Sequence, residues 1–187
     1  MAKRKMILDL DTGVDDALAI AYALADPEVD LIGIVSSYGN TLLDVCAENS
    51  LKLLELLGHT DIPVFKGLPH TSTSDHFDVM QVSKDIHGDN GIGDVELTAP
   101  QRAVEAESGV DFYTDAAHKY GKDLIIIPTG PMTNLAAALK KDPEIADLIG
   151  NVTFMGGALT VDGNVTPAAE ANINQDAKAA DEVFKSN

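Results

Sequence analysis

The sequence predicts an α/β fold, with a doubly wound, mostly parallel sheet and helices on both faces. Short apolar runs alternate along the chain with segments of helical periodicity, which is the pattern of repeated β-α-β units. The apolar runs are continuous rather than alternating with polar residues, as expected for strands buried on both faces of a parallel sheet. The 187 residues suffice for one core, so we predict a single domain over 1–187.

Each element follows from a local pattern. Residues 5–11 (KMILDLD) form an apolar run and give the first strand, and the helix after it ends before Pro27, since proline disfavours helical backbone in the residue before it. Four apolar residues in a row make DLIIIPTG the strongest strand. The predicted elements after the first strand are helix 15–26, strand 29–39, helix 42–57, strand 62–67, helix 105–121, strand 123–130, helix 132–142, strand 151–157 and helix 176–186. Residues 67–103 lack periodicity and are predicted as a long functional or mobile loop.

Composition excludes several classes of partner. The formal net charge is −17, whereas a protein that neutralises phosphates needs an excess of Lys and Arg, so no nucleic-acid partner and no anionic membrane surface are expected. The single cysteine, Cys46, allows neither an internal disulfide nor a thiolate metal cluster. No apolar run approaches the length of a membrane span or a signal-peptide core, so we expect a cytoplasmic protein.

Four aspartates crowd the end of the first strand: Asp9, Asp11, Asp15 and Asp16. Like charges this close repel one another unless a cation sits among them, one holds a proton, or they point apart. Asp15 and Asp16 alone are explained by the preference for acids at the start of a helix. Asp9 and Asp11 occupy alternate strand positions, and helix capping does not account for them.

Polar side chains also follow the other predicted strands. Ligands of open α/β sheets bind at the carboxyl ends of the strands. Carboxylate and amide oxygens suit Ca²⁺ or Mg²⁺, and amides also suit a neutral polyhydroxylated ligand such as a sugar. A phosphate site would favour basic residues, which are scarce here. The polar or strand-end residues are Asn40, Thr129, Asn134, Met155, Asn164, Glu170, Asn172 and Asn174. Taken singly, Asn164 in DGN reads as a turn residue and His87 as an ordinary loop histidine.

Six segments of the chain form a combination with a fixed order: ILDLDTGVDDALAI, GN at 39–40, IHGDNGIG, IIIPTGPMTNLA, FMGGAL and GNVTPAAEANINQDAKAA. Taken together, these segments resemble the nucleoside hydrolases of the inosine–uridine-preferring type. The resemblance rests on the combination and order of the segments, which cover nearly the whole chain, rather than on any one of them. It implies a nucleoside hydrolase-like fold, and because family chains are longer, the 1–187 domain is expected to be incomplete at its C-terminus.

The resemblance implies a Ca²⁺ site. Asp11 and Asp16 would be ligands together with the backbone carbonyl of Thr129, and Asp9 would be a supporting residue near the metal. Asp11 would also act as the general base toward the attacking water. The implied reaction is hydrolysis of the N-glycosidic bond of ribonucleosides to ribose and free base, through an oxocarbenium-like transition state stabilised by surrounding oxygens.

The resemblance also implies the substrate contacts. His87 falls in the loop expected near the leaving base and is a catalytic candidate. A small nucleoside substrate and a homo-oligomer, either a dimer or a tetramer, are the implied partners. The residues implied to line or hold the ribose are Asp15, Asn40, Met155, Asn164, Glu170 and Asn172.

The sequence departs from the family pattern in three places. Thr12 stands where the family usually has proline, and Ala171 where it has an aromatic residue. Family chains also supply a late His–Asp pair, which is expected to contribute a calcium ligand and a leaving-group acid, and the 187 residues contain no counterpart.

Two alternative functions fit parts of the sequence. MILDLDTG also matches the start of haloacid-dehalogenase-like phosphatases, in which Asp9 would be the nucleophile, Asp11 the acid/base and Mg²⁺ the metal. That alternative leaves the Met-Gly-Gly and Glu-x-Asn segments unexplained. The other alternative is a shortened chain that binds calcium or ribose without turnover.

Overall fold

The computed structural model describes residues 3–186, and its sheet confirms the α/β fold class. The strands of that part of the chain form one sheet in the order β3-β2-β1-β4-β5, with every neighbouring pair parallel. Because β1 is central, the carboxyl ends of β1, β2 and β4 meet at one edge of the sheet. The strands are β1 (Arg4–Leu10), β2 (Val29–Ser36), β3 (Val64–Lys66), β4 (Leu124–Pro128) and β5 (Asn151–Val152).

Helices cover both faces of this sheet, as the sequence predicts. On one face, Met6 and Leu8 of β1 pack with residues of the first two helices. On the other face, Ile7 packs with residues of the fourth and fifth helices. This division follows from the two-residue period of a strand, which sends successive side chains to opposite faces. The helices are α1 (Val14–Ala25), α2 (Leu43–Leu56), α3 (Gln81–His87), α4 (Gly109–Tyr120), α5 (Thr133–Lys141), α6 (Ile145–Leu148), α7 (Ala171–Gln175) and α8 (Ala177–Phe184).

Two predicted strands are shorter in the structure. The strand predicted over 151–157 is only Asn151–Val152. Beyond it the backbone still follows β4, since the N–H of Met155 donates to the carbonyl of Pro128 at 2.9 Å, but the Gly-Gly pair then ends the extended conformation, with Gly157 at φ +143°. The strand predicted over 29–39 ends at Ser36, because the chain turns toward the site at Gly39.

The long loop predicted over 67–103 is also partly wrong, since it contains helix α3. Its buried residues, Ser83 and His87, are four positions apart and therefore lie on one face of the helix. The predicted helix over 105–121 begins later, at Gly109, because Ser108 caps it by accepting a hydrogen bond from the N–H of Asp111. Within residues 3–186, no helix has the length and apolar character needed to cross a membrane.

Candidate active site

Asp11 lies immediately after β1 and is only 2% exposed. The backbone N–H of Asn40 donates to its Oδ2 at 2.8 Å, whereas its buried Oδ1 has no hydrogen-bond partner among residues 3–186. The close approach of the Asn40 loop depends on Gly39, whose φ is +153° and where a Cβ would lie 2.1 Å from Asp11 Oδ2. A buried carboxylate oxygen without a donor is energetically costly, and Oδ1 is therefore the oxygen of Asp11 that is available to a ligand.

Asp16 is the second buried carboxylate of the site, in the first turn of α1. Its Oδ2 accepts the backbone N–H of Gly13 at 2.8 Å, and its Oδ1 accepts the hydroxyl of Thr129 at 2.6 Å. Asp16 therefore joins the start of α1 to the segment after β4, and it brings Thr129 next to the aspartates.

Burial and like charge make this pair of carboxylates electrostatically unfavourable. Burial raises the pKa of Asp11 well above its usual value, and the charge of Asp16 raises it further. Burial also raises the pKa of Asp16 to about 6, although the hydrogen bonds from Thr129 and Gly13 act to lower it. A cation beside both carboxylates would attract each of them and offset this repulsion.

The donor set fits a hard divalent cation. Two carboxylates and the Thr129 carbonyl offer oxygen ligands only, which suits Ca²⁺ better than zinc. Within residues 3–186, no group of three or more His, Cys, Asp or Glu side chains is arranged to hold a metal ion. If a cation binds here, these oxygens would supply only part of its ligands, and Asp11 Oδ1 is the one that has no hydrogen-bond partner in the described part of the chain.

Asp9 differs from its neighbours, because its carboxylate turns into the core. The hydroxyl of Tyr113 donates to its Oδ2 at 2.7 Å, and the amide of Asn134 donates to its Oδ1 at 3.0 Å. Burial raises the pKa of Asp9 to about 7 despite these two donors. With no exposed surface and both oxygens bonded, Asp9 is badly placed to be the nucleophile of the phosphatase alternative.

A cleft of about 150 Å³ lies over the carboxylates and gathers most of the predicted site. Seven of the eleven predicted residues line it, whereas Asp9, Asp11, Asp16 and Glu170 do not. Asp11 and Asp16 lie directly behind the lining, through their bonds to Asn40 and Thr129. The predicted residues that line the cleft are Asp15, Asn40, His87, Thr129, Met155, Asn164 and Asn172.

His87 reaches the cleft from the end of α3. The backbone N–H of Val14 donates to its Nδ1 at 3.2 Å, so in the neutral ring the proton is on Nε2. The ring packs against Gly13, where a Cβ would lie 2.6 Å from both His87 Nδ1 and Asn40 Nδ2. The neutral imidazole is therefore fixed as a hydrogen-bond donor through Nε2.

Asn172 holds two strand ends together across the cleft. Its Nδ2 donates to the carbonyl of Thr129 at 2.5 Å and to the carbonyl of Met155 at 3.2 Å. These residues follow β4 and β5, so a single amide spans the gap that opens where the two strands separate. Both N–H groups of the amide are used, which leaves Oδ1 to interact with a ligand.

Asn164 and Glu170 frame the start of α7. The side chain of Asn164 accepts the N–H of Ala171 at 2.9 Å, so this residue has a structural bond as well as a place in the cleft lining. Glu170 is the residue before α7 and does not line the cleft.

Sequence analysis missed one wall of the cleft. Met80, Val82, Ser83 and Ile86 belong to α3 or precede it, and they face the predicted sugar residues. The spacing of the apolar residues in MQVSKDIH is the signal that predicts this helix, but seven residues between irregular flanks give few repeats of the pattern.

The fold of this chain is shared with solved structures of known proteins. Two solved structures superimpose on 98% of the chain: a purine-preferring ribonucleoside hydrolase from Gardnerella vaginalis, at 59% identity and a TM-score of 0.97, and the plant nucleoside hydrolase PpNRh1, at 38% identity and 0.94. The chain covers 58% and 57% of those two chains.

Curated relatives give the same result. A probable uridine nucleosidase 2 from Arabidopsis thaliana is 40% identical over 97% of the chain, and a pyrimidine-specific ribonucleoside hydrolase RihA from Shewanella sp. (strain MR-7) is 38% identical over 98%. The chain spans 56% of the length of each of these relatives. The family model described as inosine-uridine preferring nucleoside hydrolase matches residues 6–187, and the chain therefore belongs to this family.

Proposed function

We propose that this chain forms the calcium- and ribose-binding part of a ribonucleoside hydrolase and that its site hydrolyses the N-glycosidic bond. The observation that carries the proposal is the pair of buried carboxylates behind a polar cleft, in which Asp11 Oδ1 has no hydrogen-bond partner in the part of the chain that the structure describes. Hydrolysis adds water across the bond between the anomeric carbon and the base nitrogen. The products are ribose and the free base.

Calcium is the proposed cofactor. Asp11, Asp16 and the carbonyl of Thr129 would hold it, with the remaining positions left to water and substrate hydroxyls. When bound, Ca²⁺ supplies positive charge that offsets the two carboxylates and lowers the pKa of the water to be deprotonated.

Asp11 is the proposed general base. Its Oδ2 is fixed by the N–H of Asn40, which orients the carboxylate and leaves Oδ1 to take a proton from the attacking water. The backbone at Gly39 packs directly against this carboxylate and leaves no room for a Cβ beside Oδ2. Asp11 would therefore meet the water in one defined position.

The cleft residues are proposed to hold the sugar and the base. Asp15, Asn40 and the Oδ1 of Asn172 accept hydrogen bonds from hydroxyl groups, which matches a neutral ribose. The same oxygens stabilise positive charge as the sugar becomes oxocarbenium-like. His87 would donate a hydrogen bond from Nε2 toward the departing base, whose nitrogen must gain a proton.

A reducing-sugar assay on the purified 187-residue chain tests this proposal. Inosine and uridine are offered side by side, because the named relatives include purine-preferring and uridine- or pyrimidine-specific proteins. Each reaction is run with added Ca²⁺ and with a chelator, and Asp11→Ala serves as the inactive control. Ribose release that requires calcium and Asp11 is the expected result.

The other outcomes of the assay have separate meanings. Calcium binding that is lost in Asp11→Ala, without ribose release, would identify a binding chain without turnover. Phosphate release from a phosphomonoester with Mg²⁺ would favour the phosphatase alternative. If the chain neither releases ribose nor binds calcium, the metal site itself is contradicted.

A further inference from the structure

Asp176 is a buried carboxylate that the proposed reaction does not use. It lies between α7 and α8, and it is 2% exposed. Its Oδ2 accepts the backbone N–H of Ser72 and the hydroxyl of Thr133, each at 2.8 Å. Its Oδ1 accepts the hydroxyl of Ser72 at 2.8 Å and the N–H of Ala179 at 3.0 Å. Four donors therefore converge on one carboxylate.

Capping of α8 explains only one of these four hydrogen bonds. The bond from Ala179 is the usual contact of an N-cap aspartate with the third residue of its helix. The other three come from residues 104 and 43 positions away in the sequence. An N-cap needs no such partners, so these bonds serve a different purpose.

The additional bonds connect Asp176 to segments that carry cleft residues. Thr133 also accepts a hydrogen bond from the hydroxyl of Tyr38 at 2.9 Å, and Tyr38 lies two residues before Asn40. Ser72 belongs to the segment that leads from β3 to α3, and α3 ends at His87.

A second contact fixes the same segment. The ring of Phe77 packs on the ring of Tyr38, with centroids 4.7 Å apart. The path from Ser72 to α3 is thus held at one point by Asp176 and at another by Tyr38, which itself bonds to Thr133.

The four donors require an ionised acceptor. Burial raises the pKa of Asp176, but the hydrogen bonds from Ser72, Ala179 and Thr133 outweigh burial and hold the pKa below its usual value. An asparagine here would place N–H donors against at least one of these donors. Ionisation is therefore part of the arrangement.

We propose that Asp176 is a positioning residue of the cleft: it holds the segments that carry Asn40, His87 and Asn172 in their relative positions. Asn172 lies four residues before Asp176, at the other end of α7. The role of these three side chains in binding substrate rests on the proposed function, whereas the positioning itself is a property of the folded chain.

Two substitutions separate positioning from helix capping. Asp176→Ser keeps an N-cap oxygen for Ala179 but removes the carboxylate that Ser72 and Thr133 share. Thr133→Val keeps the shape of Thr133 and removes its hydroxyl. Asp181→Asn, an exposed position on α8, is the matched control.

The readout is the ring ¹⁵N spectrum of His87 in the folded protein, together with amide hydrogen exchange. In Asp176→Ser we expect the His87 Nδ1 resonance to shift as the bond from Val14 weakens, and exchange over 70–80 to become at least tenfold faster. The amides of α8 keep their protection, and Thr133→Val gives a smaller change in the same direction. Uniform destabilisation would not move the ¹⁵N resonances of folded molecules.

Wild-type His87 resonances and wild-type exchange over 70–80 in a folded Asp176→Ser protein would overturn the proposal and leave Asp176 as a helix cap. If Asp176→Ser fails to fold, Thr133→Val and Ser72→Ala apply the same test with one donor removed in each. None of these measurements needs turnover or bound calcium, so a failure of the proposed hydrolysis would not be mistaken for a failure of positioning.

Discussion

Asp11 and Asp176 are equally buried, each 2% exposed, yet their surroundings are opposite. Asp176 accepts four hydrogen bonds, and its pKa is lowered. Asp11 accepts one backbone N–H, has an oxygen without a partner, faces Asp16, and has a raised pKa. A carboxylate that the fold satisfies completely, such as Asp176, is a structural element. A carboxylate that keeps an oxygen without a donor beside a second negative charge, such as Asp11, is where we propose that a cation binds.

Asp9 shows that burial alone does not distinguish these cases. Tyr113 and Asn134 satisfy its two oxygens, as donors satisfy those of Asp176, yet burial still raises its pKa to about 7. The number and identity of donors therefore tell more about role than the direction of the pKa shift does.

The largest expected effect is on Asp11, here termed the open carboxylate because one of its oxygens has no donor, in contrast to the closed carboxylates Asp9 and Asp176. Asp11→Asn removes a charged oxygen ligand, and we expect calcium affinity to fall at least a thousandfold, about 4 kcal/mol in binding free energy. The melting temperature without calcium should stay the same or rise, because the substitution relieves repulsion with Asp16.

Isothermal titration with CaCl₂ and thermal unfolding in chelator measure the two effects of Asp11→Asn. Asp61→Asn, at an exposed position, is the control. Wild-type calcium affinity in Asp11→Asn would remove the distinction between open and closed carboxylates.

The next effect tests the closed carboxylate Asp9. Asn134→Ala removes both contacts of the amide with Asp9 and also the oxygen that accepts the N–H of Leu68 at 2.7 Å. We expect the free energy of unfolding to fall by about 3 kcal/mol, because buried polar groups lose their partners. Urea unfolding measures this loss, with exposed Asn174→Ala as the control. A change below about 0.5 kcal/mol, the usual scatter of surface substitutions, would contradict this expectation.

The third effect is a pH dependence at Asp176. A lowered pKa in the folded state means that the stabilisation is present above the ordinary value of 3.8 and is lost as the pH falls through the folded-state pKa. At pH 7 we expect Asp176→Asn to be less stable than the wild type by about 2 kcal/mol.

Urea unfolding at neutral pH and at successively lower pH measures the difference in stability between the wild type and Asp176→Asn. We expect this difference to shrink once the pH falls below 3.8. If the stability difference stays constant or grows as the pH is lowered, the hydrogen-bond donors do not hold Asp176 in its ionised form.

The sequence predicts the sheet better than it predicts the site. Apolar runs such as 123–130 fix strand positions locally, and parallel order then brings their carboxyl ends together. The side-chain contacts of the site are harder to predict, because they join residues that are distant in the sequence. Nothing in the residues around Asp9 and Asp11 indicates that one carboxylate turns toward Tyr113 and the other toward Asn40, 104 and 29 residues away.

Helix α3 and Asp176 show the same limit. A seven-residue helix between irregular segments has too few turns for its period to stand out. Asp176 reads in the sequence as a simple helix cap, because its remaining donors, Ser72 and Thr133, come from distant loops. Many of the residues that line the cleft are predictable from strand ends, whereas the residues that hold them in place are not.

The smallest expected effect concerns the loop that carries Asp11. Thr12 has no exposed surface, and its hydroxyl lies 2.7 Å from the hydroxyl of Ser50 in α2. The Ser50 hydroxyl also donates to the carbonyl of Cys46 at 3.1 Å. Thr12→Val keeps the shape and removes one hydrogen bond, so we expect a loss of about 1 kcal/mol in the free energy of unfolding.

Calcium affinity in Thr12→Val should stay within about threefold of wild type, equivalent to less than 1 kcal/mol, because Asp11 keeps its bond to Asn40. Urea unfolding and calcium titration measure the two quantities, with exposed Thr98→Val as the control. A large loss of calcium affinity with little loss of stability would show that the hydroxyl pair of Thr12 and Ser50 sets the position of Asp11. In that case the open carboxylate, like the closed one, depends on a hydrogen bond from a distant helix.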